Sequence, residues 1–230
     1  MKDAAYFQQY SPTVANFFDP FQKTTDSAKR MGWSNRESQH SRFHQLSSIS
    51  AFFEHSILDI GCGIGGLYEH MQSKDLDVKY TGIDIRKDFI EQATKSFATH
   101  TSSHPEFIHA DFLDPDFQTE YDYIFASGTF NHRIPNQMQY IEACIKKMIK
   151  LSRYAVGFNL LSDTTPYHMK EAHSLFYYNA PKILAICLAY CPYVVIKQHY
   201  LPNDMTLYIY KEPIGKYDED TVVYTPSNQT

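Results

Sequence analysis

The stretch Ile57–Leu67, I-L-D-I-G-C-G-I-G-G-L, restricts the fold more than any other part of the chain. Three apolar residues, Ile57, Leu58 and Ile60, run into Gly61, Gly63, Gly65 and Gly66, and an amphipathic segment follows. This pattern predicts a buried strand, a glycine turn and the start of a helix. A turn free of Cβ atoms lets backbone come close to a bound group, and the helix start adds N–H groups without intrahelical partners. Gly61, Gly63 and Gly66 also satisfy the spacing of a dinucleotide-binding turn. Asp59, two residues ahead of Gly61 at the carboxyl end of the strand, argues for a different ligand. A carboxylate there repels a pyrophosphate and favours a cationic or hydroxyl-rich group.

The alternation continues downstream. Strands are predicted at 57–60, 79–84, 106–110, 121–126 and 154–160, with helices at 66–73, 88–97 and 135–151. Alternating strands and helices give a parallel sheet with helices on both faces. The rhythm then breaks. A helix at 181–190 precedes strands at 193–199 and 206–211, and only Leu201 to Met205 lies between the last two. That link is too short for a crossover, so the pair forms a hairpin and one strand runs antiparallel to the rest.

Residues 1–55 precede the first strand. Tyr6, Phe7, Tyr10, Phe17, Phe18 and Phe21 suggest short packing helices, and Phe43, Leu46 and Ile49 recur at helical spacing in 36–50. The chain is expected to form one domain over 1–230: a helical cap (1–55), a core (56–214) with a substrate-cap insertion (162–179), and a frayed polar tail (215–230). With 18 Tyr and 16 Phe, aromatic pocket walls and surplus core aromatics are equally compatible readings.

The formal net charge of −5 argues against general nucleic-acid binding. No stretch is apolar for the length of a membrane span, and no signal-peptide pattern opens the chain, so a cytoplasmic location is expected. Cys62, Cys144, Cys187 and Cys191 show no disulfide framework. Cys187 and Cys191, one helical turn apart, suit core packing better than metal ligation. No metal site is expected.

Ligands of doubly wound sheets lie beyond the carboxyl ends of the strands. Asp59, Asp84 and Asp111 each end a strand in this sequence. Asp84 lies 23 residues past Gly61 (84 − 61) and can accept two ribose hydroxyls. Asp111 can accept from an amino group while Phe112 flanks the ring. A nicotinamide cofactor would use the ribose acid equally well but has no need of the third.

L-D-I-G-C-G, Y-T-G-I-D-I, H-A-D-F and F-A-S-G-T-F-N, with M-G-W and S-Q-H-S-R-F ahead of them, resemble the motifs of small bacterial-type class I S-adenosylmethionine-dependent methyltransferases. The resemblance implies a Rossmann-like, seven-stranded, mostly parallel sheet with a C-terminal antiparallel hairpin and an N-terminal helical lid. It implies S-adenosyl-L-methionine as cofactor and S-adenosyl-L-homocysteine as product. The cofactor residues carried over are Asp59, Gly61, Cys62, Gly63, Gly65, Asp84, Ile85, Asp111 and Phe112, with a backbone contact near Ser127. Trp33, Gln39 and Arg42 are candidates to close the pocket. Arg42 either faces the methionine carboxylate or is an ordinary arginine of a structural helix. The motif after the fourth strand is not the N-P-P-Y type of DNA and amide-nitrogen methyltransferases.

The expected activity is methyl transfer to a small molecule, at an oxygen (hydroxyl or carboxyl) ahead of nitrogen or carbon. A hydroxyl nucleophile needs a base. His132 is the first candidate, followed by His168 and His173; an ionised carboxylate needs none. Asn131, Tyr167, His168, Tyr177, Tyr178 and Tyr200 are candidate substrate walls. The rival readings are a nicotinamide-dependent oxidoreductase and a catalytically silent cofactor-binding subunit.

Overall fold

A computed structural model describes residues 7–33, 35–50, 53–99, 104–166 and 174–213. The proposed tail and the candidates Tyr167, His168 and His173 lie outside the described residues. The sheet contains β1 (Phe53–Ile60), β2 (Asp77–Asp84), β3 (Glu106–His109), β4 (Tyr121–Ser127), β5 (Ser152–Leu161), β6 (Val194–Lys197) and β7 (Asp204–Tyr210). Their order is β3-β2-β1-β4-β5-β7-β6. The pairs from β3 through β5 are parallel, and β7 is antiparallel to both β5 and β6. The short link between β6 and β7 therefore does what its length dictates, and β7 slots in between β5 and β6.

Strand order reverses between β1 and β4, which places the turn after β1 where an open α/β sheet binds its ligand. The strands extend beyond the apolar runs that announce them, β1 beginning at Phe53 and β5 at Ser152, because ladder pairing continues past the buried residues.

Successive residues of β1 point to opposite faces and feed two cores. Leu58 and Ile60 join one with Ile124, Val156 and Phe158. Two helices cover that face: the one at Gln137–Leu151 through Ile141, Cys144, Ile145 and Met148, the one at Ala180–Tyr190 through Ile183 and Cys187. Ile57 joins the other core with Tyr80, Tyr123 and Phe125, under Phe43 and Leu46 of the helix Arg36–Ser47 and Leu67, Tyr68 and Met71 of the helix Gly66–Gln72. The four cysteines are reduced and buried. The helix expected from Pro135 starts instead at Gln137, because Asn136 takes a left-handed conformation (φ 57°) that ends the preceding loop.

The N-terminal segment crosses the carboxyl end of the sheet as a short helix Ser11–Asn16, a 3-10 turn Asp19–Lys23 and a helical turn Ser27–Arg30. Arg86, just past β2, fastens it by donating to Ala15 O (2.7 Å) and Asp19 Oδ1 (2.5 Å). Among the described residues no helix is long and apolar enough to cross a membrane.

Candidate active site

β1 ends in the glycine turn, and the turn is held by β2. The Gly61 and Cys62 N–H groups donate to Ile83 O at 2.8 and 3.0 Å, and the Gly63 N–H donates to Asp84 Oδ2 at 2.9 Å. Gly63 sits at φ 56°, and a Cβ there would lie 2.5 Å from Met31 Sδ. Gly128, past the end of β4, sits at φ 69°, and a Cβ would lie 2.5 Å from the Trp33 ring. Both positions need glycine because the cap descends directly onto backbone.

The turn, the strand ends and the cap enclose a cleft with about 190 Å3 of water-accessible space. Asp59, Gly61, Cys62, Gly63, Asp84, Ile85, Asp111, Phe112, Ser127, Trp33 and Arg42, expected from the sequence, all line it, as do Asn131, His132 and Tyr177. Gly65 does not: it turns toward Phe97 and Phe107 behind the loop, and Gly66 reaches the cleft in its place.

Two further expectations need correction. Tyr178 is fully buried in the core, donating to Phe130 O at 2.6 Å, because Tyr178 bridges back to Ser162 beside β5. Tyr200 turns to Asp204 and Thr206, with contacts of 2.6 Å to each, and is not part of the cleft lining.

Each of the three acids is held differently. Asp84 accepts from Gly63 N and from Arg86 N, the latter at 2.9 Å, and burial still raises its pKa. Asp111 accepts from Leu113 N at 2.8 Å and from Ser11 Oγ at 2.5 Å. Asp59 is the most exposed to electrostatic penalty. Its Oδ2 accepts from the Tyr80 hydroxyl at 2.5 Å, while Oδ1 is buried with no partner. Burial pushes its pKa up to about 7; the Tyr80 bond opposes that and the Asp84 charge adds to it. Among the described residues this leaves a buried polar oxygen whose desolvation no hydrogen bond offsets.

Arg42 cannot serve freely as the partner of an incoming carboxylate. It is buried, forms an ion pair with Asp204 of β7, donates to Ser38 O at 3.3 Å, and lies 4.7 Å from the Trp33 ring. Its charge is already used inside the protein, and Trp33 is held over Gly128 by the contact.

On the far wall His132 packs against Phe17 and Phe18, at ring separations of 4.4 and 5.1 Å. Its Nδ1 is buried without a hydrogen-bond partner, and burial lowers its pKa to about 4, so the ring is neutral at pH 7.

Sequence reasoning missed Ser11, Tyr80 and Arg86. Tyr80 carried a usable signal: a tyrosine in a strand flanked by neighbouring strands and covered by helices must place its buried hydroxyl on a partner.

A parallel sheet closed by β7, with acids on three successive strand tips around a glycine turn, is the arrangement of a class I methyltransferase. The comparisons agree. Residues 57–151 match the family described as a methyltransferase domain. A Mycobacterium tuberculosis protein provisionally named a methyltransferase is 29% identical over 143 residues, 60% of this chain and 82% of that one. Malonyl-[acyl-carrier protein] O-methyltransferase of Priestia megaterium is 28% identical over 144 residues, 63% of this chain and 49% of that one, so the match spans about half of that enzyme. The crystal structure of magnesium protoporphyrin IX methyltransferase from Synechocystis with bound S-adenosylmethionine shares the fold. Its TM-score is 0.61 at 14% identity, over 92% of this chain and 98% of that one.

Proposed function

We propose that the protein methylates an oxygen atom of a small molecule, with the cleft divided into a cofactor side and an acceptor side. The observation that carries this reading is one cleft lined by both Asp59 and His132, each with a buried polar atom (Asp59 Oδ1, His132 Nδ1) left unsatisfied among the described residues.

The cofactor side fits a cationic nucleoside without a phosphate. Asp59 supplies a negative partner for the ammonium group. Asp84, already fixed by two backbone N–H groups, accepts from the ribose hydroxyls. Asp111 accepts from the adenine amino group, and Phe112 flanks the ring. Three carboxylates around a glycine turn would oppose a pyrophosphate, which disfavours a nicotinamide cofactor. When bound, S-adenosylmethionine supplies a methyl group on a sulfonium, a reactive centre with a good leaving group.

The chain's own contribution is then alignment and exclusion of water, worth roughly 7–11 kcal/mol of barrier when the geometry is right. The cap closes the cleft through Trp33 on Gly128 and Met31 on Gly63. His132 accepts a hydrogen bond from the acceptor hydroxyl. Neutral imidazole is a weak base here, but the hydroxyl proton becomes strongly acidic as the new bond forms, so a weak base in place is enough to take it. Asn131 and Tyr177 line the same region, Asn131 being pinned by Leu161 N and Phe176 N.

The test is transfer of a labelled methyl group to hydroxyl and carboxyl metabolites by the wild type and by His132→Ala. The substitution should cut turnover while the dissociation constant for S-adenosylhomocysteine stays unchanged. Full turnover would remove His132 from the chemistry.

A further inference from the structure

We propose that the acceptor is an uncharged aromatic hydroxyl compound and not a carboxylate. This deepens the functional reading above and rests on it. Three observations converge.

The first is charge. Among the described residues, the lining of the cleft carries the carboxylates of Asp59, Asp84 and Asp111 against a single cationic side chain, Arg42. Arg42 is committed to Asp204. His132 is neutral, and the neighbouring Arg133 turns away to Leu175 O at 2.9 Å and to the Phe176 ring. An ionised acceptor entering this cleft would lose its water and find no uncommitted cationic side chain among the described residues to replace it.

The second is shape. Phe17 and Phe18 pack on His132, and Tyr140 stands edge-on to Phe7 (5.5 Å) and Phe130 (6.0 Å) on the same cleft. Such walls take a flat ring by stacked and edge-on contacts.

The third is the hydrogen bond. His132 Nδ1 lacks a partner among the described residues, and with the ring proton on Nε2, the tautomer this proposal assigns, Nδ1 needs a donor. A hydroxyl offers one and an ionised carboxylate does not. In the transfer, the acceptor oxygen forms a bond to the methyl carbon. The carbon–sulfur bond breaks with its electron pair going to sulfur, and the hydroxyl proton passes to His132 Nδ1.

The test uses the full chain saturated with S-adenosylhomocysteine, titrated in a calorimeter with a naphthol and with the naphthoate of the same ring. The naphthol should bind at least about tenfold more tightly, the worth of one hydrogen bond made or lost in a buried site. His132→Leu should lower that preference about tenfold by removing the hydrogen bond, leaving only the part set by charge. Naphthoate binding as tightly as naphthol, no binding of either ring, or a preference left unchanged by His132→Leu would each overturn the proposal. Saturation with S-adenosylhomocysteine is measured first. Failure at that step refutes the cofactor reading, whereas failure only with the naphthols refutes the acceptor class alone.

Discussion

Asp59 should trade stability for binding, and Asp59→Asn exposes the trade. The folded protein holds this carboxyl at about 7 against an ordinary 3.8. At about 1.4 kcal/mol per pH unit, that gap makes the ionised form cost about 4 kcal/mol above pH 7. The native state binds this proton more tightly than the unfolded chain does, so the contribution is favourable below about pH 4 and is lost as pH rises to about 7. Asn removes the charge. It also puts an amide N–H2 where Oδ1 has no partner, which costs about 1–3 kcal/mol. The net expectation at pH 8 is a gain of about 1–3 kcal/mol, or roughly 2–12 °C in Tm for a chain of this size. At pH 5 the gain vanishes, because the wild-type carboxyl is protonated there. His132 and His70, both lowered to about 4 by burial, give the opposite slope, losing stability as pH falls from 6.5 toward 4, and that slope should dominate in the variant. Thermal melts at pH 5 and pH 8, with and without S-adenosylmethionine, read all of this. Wild type should gain Tm from the cofactor at pH 8 and less at pH 5; Asp59→Asn should gain little at either. A variant less stable than wild type at pH 8, or one that retains the full cofactor shift, would refute the assignment of Asp59 as a prepaid ionic partner.

Three further outcomes follow from the same geometry. Tyr80→Phe deletes the one side-chain donor to Asp59 among the described residues and should weaken cofactor binding at pH 7 by about 1.5–3 kcal/mol, with the loss shrinking toward pH 9; calorimetry across pH checks it. Asp84→Ala should weaken S-adenosylhomocysteine binding by about 1.5–3 kcal/mol, and an unchanged dissociation constant would remove Asp84 from the ribose. Arg42→Met leaves Asp204 buried without a counter-charge and should cost about 3–5 kcal/mol in urea unfolding, most of which Arg42→Met with Asp204→Asn should restore.

The parts legible in the sequence were those where one short segment carries both structure and chemistry. Asp59, Asp84 and Asp111 could be placed because each ends an apolar run, and topology alone then gathers strand ends at one edge. The antiparallel β7 was legible because the length of a link decides it. What escaped was set by contacts between distant segments. Arg42 and Asp204 are 162 residues apart, and nothing near Arg42 announces that its charge is already matched. Ser11 reaches Asp111 across 100 residues. Tyr178 and Tyr177 are adjacent in sequence, yet one is core and the other faces the cleft, because the bridge of Tyr178 to Ser162 fixes which side chain turns inward. Gly65 shares its residue type with Gly63, but only the chain path shows that it backs onto Phe97.

The Arg42–Asp204 pair also bears on how the cleft keeps its two sides distinct. A free arginine at the centre would neutralise Asp59 and would welcome an anionic acceptor. Pairing it with Asp204 of β7 removes both effects, and its side chain still supports Trp33 through the ring contact at 4.7 Å. On the proposed reading, the cofactor side thus keeps Asp59 for the incoming cation, and the acceptor side keeps His132, neutral at pH 7, among aromatic rings. Arg42→Met with Asp204→Asn keeps the cleft uncharged at this position, whereas Asp204→Asn alone frees the arginine. The single variant should therefore bind S-adenosylmethionine more weakly than the double variant does, although both have lost the same carboxylate. Equal affinities would mean that the ion pair serves packing alone and has no part in the electrostatics of the cleft.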